Sequence, residues 1–129
     1  MTRLTLRIDF DDSRHLGHGK IKLLELIDRN GSIASAARDM EMSYRRAWLL
    51  VDEVNKMFDS PAVATKLGGR GGGLAALTMF GRSLVQLYRG MEADALHAFA
   101  RRIAELENKL APETAAGPHE PRRSGKASQ

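Results

Sequence analysis

A run of hydrogen-bonding and cationic side chains occupies four consecutive positions near the middle of the chain: Ser43, Tyr44, Arg45 and Arg46. An arginine can donate two parallel hydrogen bonds to a guanine edge or charged hydrogen bonds to phosphate, and serine and tyrosine can bond either group. Two cations at the start of a helix oppose its dipole at a cost of about 0.3–1 kcal/mol each, which an anionic partner would offset. The run therefore predicts contact with double-stranded DNA, and a solvated helical turn is the alternative.

A glycine-rich segment at 68–73 is the second candidate, because short apolar runs flank it on both sides. This pattern predicts a β-hairpin with a flexible tip. It lacks the Lys-Ser/Thr pair of a Walker loop and the strand-turn-helix setting of a dinucleotide-binding turn. Lys66 on the flank and Arg70 at the apex would suit the DNA backbone or minor groove. A solvent-exposed turn that touches nothing is the alternative.

Short helices must position these residues. Apolar spacing predicts a first helix over 19–30 that stops at Asn30-Gly31, and a second over 33–40 capped by Ser32. After a turn at Glu41-Met42, Ser43 would cap a third helix, the recognition helix, which ends near Asp59.

The third helix has an inward face with apolar spacings of three and four. Its members are Ala47, Leu50, Val51, Val54 and Phe58. Trp48 lies next to this face, and we interpret it as covering the edge of the core, with DNA contact as the alternative. At the other end of the chain, alternating apolar residues predict a strand over 3–10, followed by a polar connector over 11–18.

Thr78 is predicted to cap one long helix over 79–110, roughly 48 Å in length if unbroken. Its apolar line resembles an imperfect heptad, and so small a body cannot bury the whole of it. A second copy is the expected partner, and whether Gly90 interrupts the helix is open. The predicted homodimer interface consists of Leu84, Tyr88, Met91, Ala95, Phe99, Ile103 and Leu106.

Composition narrows the class of protein. The 129 residues carry a formal charge of +4 and are 43% hydrophobic, and the absence of cysteine excludes disulfides, thiolate catalysis and cysteine zinc sites. The histidines, His15, His18, His97 and His119, show no metal-ligand spacing, and no serine or threonine stands in a nucleophile motif. We therefore expect no enzyme, no cofactor and no metal. No signal peptide and no apolar run of ~20 residues is present, which favours the cytoplasm and no membrane contact.

These elements predict a mainly α fold with a small β-hairpin: a winged helix-turn-helix with a long C-terminal dimerisation helix. The predicted divisions are a DNA-binding domain over 1–78, the dimerisation helix over 79–110, and a tail over 111–129. The tail is rich in proline, glycine, serine and charge, so we expect it to be disordered.

Two segments, SIASAARDMEMSYRRAW and GGRGGGLAALTMFGRSLVQLY, resemble the N-terminal DNA-binding domain of the molybdate-responsive ModE regulators. The resemblance covers about 19–88 and implies a LysR-type winged helix that dimerises through its long helix on an inverted-repeat operator. By position in the family pattern, the resemblance implies that DNA is contacted by Ser43, Tyr44, Arg45, Arg46, Lys66 and Arg70.

This chain departs from the family pattern in two respects. Family members carry C-terminal molybdate-binding domains, whereas only a polar tail follows Leu110, so we expect no molybdate or other oxyanion effector here. The turn position that the family often fills with glycine is Glu41, and we expect a turn that needs no positive φ.

The predicted function is sequence-specific DNA binding by a homodimeric transcription regulator. Two alternatives use the same scaffold: a protein-interaction module that docks partners on the long helix, and a sensor that holds an oxyanion or metabolite at the dimer interface. The sequence shows no convergent cluster of polar residues that could form the binding site of such a sensor.

Overall fold

A computed structural model of the protein describes residues 1–66 and 73–113. Over these residues the chain forms five α-helices and two antiparallel hairpins, which confirms the mainly α fold with a small wing. In chain order the elements are β1 (Arg7–Asp9), β2 (His15–Gly17), α1 (His18–Asn30), α2 (Ile33–Asp39), α3 (Tyr44–Met57), β3 (Val63–Lys66), β4 (Leu74–Leu77), α4 (Met79–Ala98) and α5 (Ala100–Glu107).

Helix α1 lies at the centre of the fold. It contacts α2, α3, α4 and β4, and five of its aliphatic side chains are at most 4% exposed. These five are Ile21, Leu23, Leu24, Leu26 and Ile27. A helix with apolar side chains on several faces is buried rather than amphipathic, so α1 is the element against which the others pack.

Local capping groups set the helix boundaries as the sequence predicts. Gly31 adopts a φ of 81° and its amide donates to the Ile27 carbonyl oxygen at 2.8 Å, which ends α1. The Ser32 hydroxyl accepts from the Ser35 amide and the Ser43 hydroxyl accepts from the Arg46 amide, both at 3.0 Å. Each bond satisfies one of the free amides at a helix start.

The turn between α2 and α3 contradicts the expectation for Glu41, whose φ is 58°. The Glu41 amide donates to the Arg38 carbonyl oxygen and the Met42 amide to the Ala37 carbonyl oxygen, both at 3.0 Å. This pair of bonds is a Schellman motif, which requires a left-handed residue at the position of Glu41. A non-glycine residue there costs about 1–2 kcal/mol of backbone strain.

The N-terminal strand is shorter than predicted and has a partner that the sequence analysis missed. β1 pairs with β2, which lies inside the predicted polar connector, in a register that places Ile8 opposite Leu16. Leu16 is buried and anchors β2 to the core. The Tyr88 hydroxyl donates to the Leu6 carbonyl oxygen at 2.6 Å, so α4 holds the segment before β1.

The predicted long helix is divided, but not at Gly90. Helix α4 passes through Gly90 without interruption and ends at Ala98, and α5 begins at Ala100. Between them Phe99 has a ψ of 10°, outside the helical range. Residues up to Ala98 form one compact unit and those from Phe99 another. The predicted domain boundaries stay predictions, and most of the tail, 114–129, lies outside the described residues.

Two glycines of α4 differ in their surroundings, and this difference gives a test of the packing. A Cβ at Gly81 would overlap the Ala62 carbonyl oxygen, whereas a Cβ at Gly90 would meet no atom within 4 Å. We expect Gly81→Ala to lower the free energy of unfolding by about 2–3 kcal/mol through overpacking. Gly90→Ala should raise it by about 0.8–1 kcal/mol through helix propensity. Urea unfolding followed by circular dichroism measures both, and equal effects would contradict this account of α4.

Candidate nucleic-acid interface

The first turn of α3 exposes the residues that the sequence singled out. Ser43 caps the helix, and Tyr44, at 56% exposure, begins it. Arg45 and Arg46 are exposed and form no ion pair with any residue in 1–66 or 73–113. Two cationic groups that pair with no carboxylate among the described residues stand at a helix start, the unfavourable end for them.

The two arginines point in different directions. Successive residues of a helix are turned by about 100°, and the buried face of α3 is marked by Ala47, Val51 and Val54. Arg45 lies on the ridge opposite that face. Arg46 lies a quarter turn away, on a flank of the helix, so the two side chains would meet different parts of one ligand.

Trp48 is exposed over nearly half of its surface, at 45%. That it covers the edge of the core stays a prediction. Tyr44 precedes it by four residues and therefore lies on the same face. The flank opposite Arg46 thus carries two exposed aromatic side chains.

The predicted wing is confirmed as an antiparallel hairpin. β3 pairs with β4, with Lys66 opposite Leu74. Lys66 is exposed at the end of β3, whereas Arg70 lies in 67–72, outside the described residues. The Ala75 amide donates to the Gly31 carbonyl oxygen at 2.9 Å, which joins the wing to the turn after α1.

Asn55, which the sequence analysis did not single out, binds α3 to the wing. Its Nδ2 donates to the Val63 carbonyl oxygen at 3.1 Å, and its Oδ1 accepts from the amides of Ala62 at 2.8 Å and Val63 at 2.9 Å. The sign of this role is an amide side chain at a half-buried position of α3. Asn55 fixes where β3 starts relative to α3.

A concave surface of about 410 Å³ lies on the Arg46 side of α3, between α3, the start of α1 and the N-terminal hairpin. We call it the basic groove. Its ionisable lining is Arg7, His15, His18, Lys20 and Arg46, with no carboxylate. These residues come from four separate elements, β1, β2, α1 and α3, so no convergent polar cluster is visible in the sequence alone.

Lys20 is the most buried cation of the basic groove, with a side chain 7% exposed. Its Nζ donates to the His15 carbonyl oxygen at 2.9 Å and pairs with Glu53 Oε1 at 3.2 Å. These bonds compensate part of the cost of burying the charge. The position of Lys20 in the wall of the groove is therefore fixed.

A polar contact between α1 and α4 borders the basic groove. Arg89 donates two hydrogen bonds to the Glu25 carboxylate, at 2.8 and 2.9 Å, and these lower the pKa of Glu25. Burial lowers the pKa of His18, and the positive charges of Arg3 and Arg89 add to the shift. His18 is therefore held neutral at neutral pH.

The predicted dimer residues separate into two groups. Leu84 and Tyr88 are buried in the protomer itself because they face α1 and the N-terminal segment, so they are not available to a second copy. The remaining residues of the set stay partly or fully exposed: Met91, Ala95, Phe99, Ile103 and Leu106. Leu87, which the sequence analysis omitted, is 61% exposed.

The described ranges contain neither a metal site nor a membrane-spanning helix. Among residues 1–66 and 73–113, no three histidine, cysteine or acidic side chains are grouped as a metal site requires. None of the helices there combines the length and the apolar character needed to cross a bilayer.

The bonds of Asn55 give a second test. Asn55→Ala would leave two amides and one carbonyl oxygen without their partners, so we expect the free energy of unfolding to fall by roughly 2 kcal/mol. Lys56→Ala, a change at the next and exposed position, should stay within about 0.5 kcal/mol. Denaturant unfolding compares the two, and an Asn55→Ala protein as stable as the control would refute the role of Asn55.

Comparison with known proteins identifies relatives, although no protein-family model matches the chain. The chain is 38% identical over 104 residues to the molybdenum transport protein ModE of Azotobacter vinelandii, covering 78% of this chain and 38% of that protein. It is 34% identical over 98 residues to the transcriptional regulator ModE of Haemophilus influenzae, covering 76% and 38%. It is 40% identical over 88 residues to the DNA-binding transcriptional dual regulator ModE of Escherichia coli K12, covering 66% and 32%.

The chain therefore spans about a third of the length of these curated relatives. The identity extends over most of this chain, which includes the winged helix. The chain belongs to the ModE family of regulators. In each of these relatives the matching segment is part of a longer protein.

Proposed function

We propose that the protein is a DNA-binding transcription regulator that places α3 in the major groove of a duplex. The observation that carries this proposal is the first turn of α3, where Tyr44, Arg45 and Arg46 are exposed and the two arginines have no counterion among the described residues. The second helix of a helix-turn-helix contacts base edges with this turn. The name of the Escherichia coli relative points to the same activity.

Each part of the surface formed by α3 and the wing would contact a different part of the DNA. Arg45, on the outer ridge of α3, would donate to a guanine edge, a contact worth about 1–3 kcal/mol of discrimination. Tyr44 and Trp48 would offer aromatic surface to a thymine methyl group or to the sugar. Lys66 and Arg70 in the wing would bind the adjacent backbone, where affinity depends on salt through released counterions.

We also propose that the regulator is a homodimer held through the outer face of α4. Leu87, Met91 and Ala98 are exposed and lie close together on the helix surface, at spacings of four and seven. This apolar stripe, which the exposed Asp94 interrupts between Met91 and Ala98, would bury its surface against a second copy. A twofold dimer would set two copies of α3 about 34–36 Å apart, which suits an inverted-repeat operator. Phe99, which follows α4, and Ile103 and Leu106 in α5 stay predicted members of the dimer interface.

Duplex titration at two salt concentrations tests the DNA-binding proposal. The unmodified protein should bind a random duplex more tightly at 50 mM than at 200 mM salt, because phosphate contacts release counterions. On a preferred duplex, Arg45→Ala should weaken binding by roughly five- to a hundredfold.

The matched control is Arg29→Ala, which removes the same charge from an exposed site at the far end of α1. It should change the affinity much less than Arg45→Ala. Equal losses would show that net charge, and not the first turn of α3, governs binding. Salt-independent binding, or none, would favour a protein-interaction module instead.

Analytical ultracentrifugation tests the dimer. Leu87→Glu would place a charge in the apolar stripe, so we expect the dimer to dissociate into folded monomers. Gln86→Glu adds the same charge at the next exposed position and should leave the dimer intact. A monomeric unmodified protein, or an intact Leu87→Glu dimer, would contradict this interface.

A further inference from the structure

The basic groove is positively charged and lies beside α3. Three permanent cations line it, Arg7, Lys20 and Arg46, and its lining contains no carboxylate. Two acidic side chains pair with these cations from outside the lining: Asp9 with Arg7 at 2.8 Å and Glu53 with Lys20 at 3.2 Å. Arg46 has no such partner in 1–66 or 73–113.

The two ion pairs do not cancel the charge of the groove. Arg7 and Asp9 are both well exposed, and a pair between exposed groups is worth little, so the Arg7 side chain can turn toward another ligand at small cost. Glu53 is also exposed and carries one negative charge against the three cations of the groove. Lys20 is held in place by its bond to the His15 carbonyl oxygen, so one cation stays fixed in the wall.

Backbone amides at the start of α1 add hydrogen-bond donors to the basic groove. Gly17, His18 and Gly19 line it where α1 begins, and no side chain caps the free amides of that first turn. Gly19 has no Cβ, so an anion can approach the backbone closely. Amides of this kind bind phosphate oxygens, and here they act together with the side-chain cations.

The position of Arg46 indicates which anion would occupy the groove. An α-helix is about 10–12 Å wide with its side chains and the major groove about 12 Å wide, so an inserted helix meets the two DNA strands with its two flanks. Arg46 and the basic groove lie on one flank of α3. Tyr44 and Trp48 lie on the other.

We propose that the basic groove binds a phosphate group, and that this phosphate belongs to the DNA strand flanking the base pairs contacted by α3. The inference rests on the proposed function. It assigns Arg46 to the backbone and leaves base discrimination to Arg45. It also adds Arg7, Lys20 and the start of α1 to the DNA-contacting surface.

The test uses Gly19, which lines the groove and is exposed, with no atom within 4 Å of an added Cβ. Gly19→Glu introduces a carboxylate beside the bound phosphate, and Gly19→Gln has the same shape without the charge. Either replaces a helical glycine, and an acidic residue is favourable in a first helical turn, so misfolding is not expected. Gln86→Glu controls for net charge.

In duplex titrations Gly19→Glu should bind roughly tenfold more weakly than Gly19→Gln. The slope of log affinity against log salt should be shallower by about 0.9, the amount for one lost phosphate contact. The preferred sequence should not change. Gln86→Glu should resemble the unmodified protein, and a loss as large as that of Gly19→Glu would overturn the inference.

Titration with inorganic phosphate, followed by amide chemical shifts, separates the two possible sources of the phosphate. If both Gly19 variants bind duplex equally, the DNA strand does not occupy the groove. Saturable shifts at His18 to Lys20 would then identify a site for free phosphate, and no shifts would overturn the inference entirely. If the unmodified protein binds no duplex, the proposed function fails, and the phosphate titration alone decides the groove.

Discussion

The burial of α1 is the constraint on which the rest of the structure depends. Five aliphatic side chains of this one helix are almost fully buried, and burying each contributes about 1.5–3 kcal/mol. That sum is comparable with the whole stability of a typical domain, about 5–15 kcal/mol. Every surface considered for binding is attached to α1: α3 packs on it, the wing bonds to Gly31 at its end, and the basic groove surrounds its start.

A few polar contacts complete the arrangement by joining elements that are distant in sequence. Asn55 joins α3 to the wing, Arg89 joins α4 to α1, and the Tyr88 hydroxyl joins α4 to the N-terminal segment. Thr78 adds a fourth contact, since its hydroxyl donates to the Pro61 carbonyl oxygen at 2.7 Å and accepts from the Gly81 amide at 2.9 Å. Among them, the Asn55 bonds restrict how α3 can move relative to the wing.

The features that the sequence could predict are local ones. Gly31, Ser32 and Ser43 act within one turn of their own position, and the apolar spacing of α1 and α3 can be recognised without knowing what each helix packs against.

The features that the sequence could not predict depend on the packing partner or on backbone geometry alone. An apolar stripe does not distinguish packing within a chain from packing between chains, and Leu84 and Tyr88 pack within the chain. A three-residue strand such as β2 shows no period, and the left-handed Glu41 follows from backbone bonds. The basic groove combines residues from four elements that only folding brings together.

Selection of bound sequences from a random duplex pool tests the central claim most directly, namely that twofold-related copies of α3 read DNA through their first turns. The account predicts enrichment of an inverted repeat with half-sites about one helical turn apart. It also predicts that this enrichment disappears for the Arg45→Ala protein while weak, salt-sensitive binding persists. Recovery of no common sequence, or of the same repeat with Arg45→Ala, would contradict it.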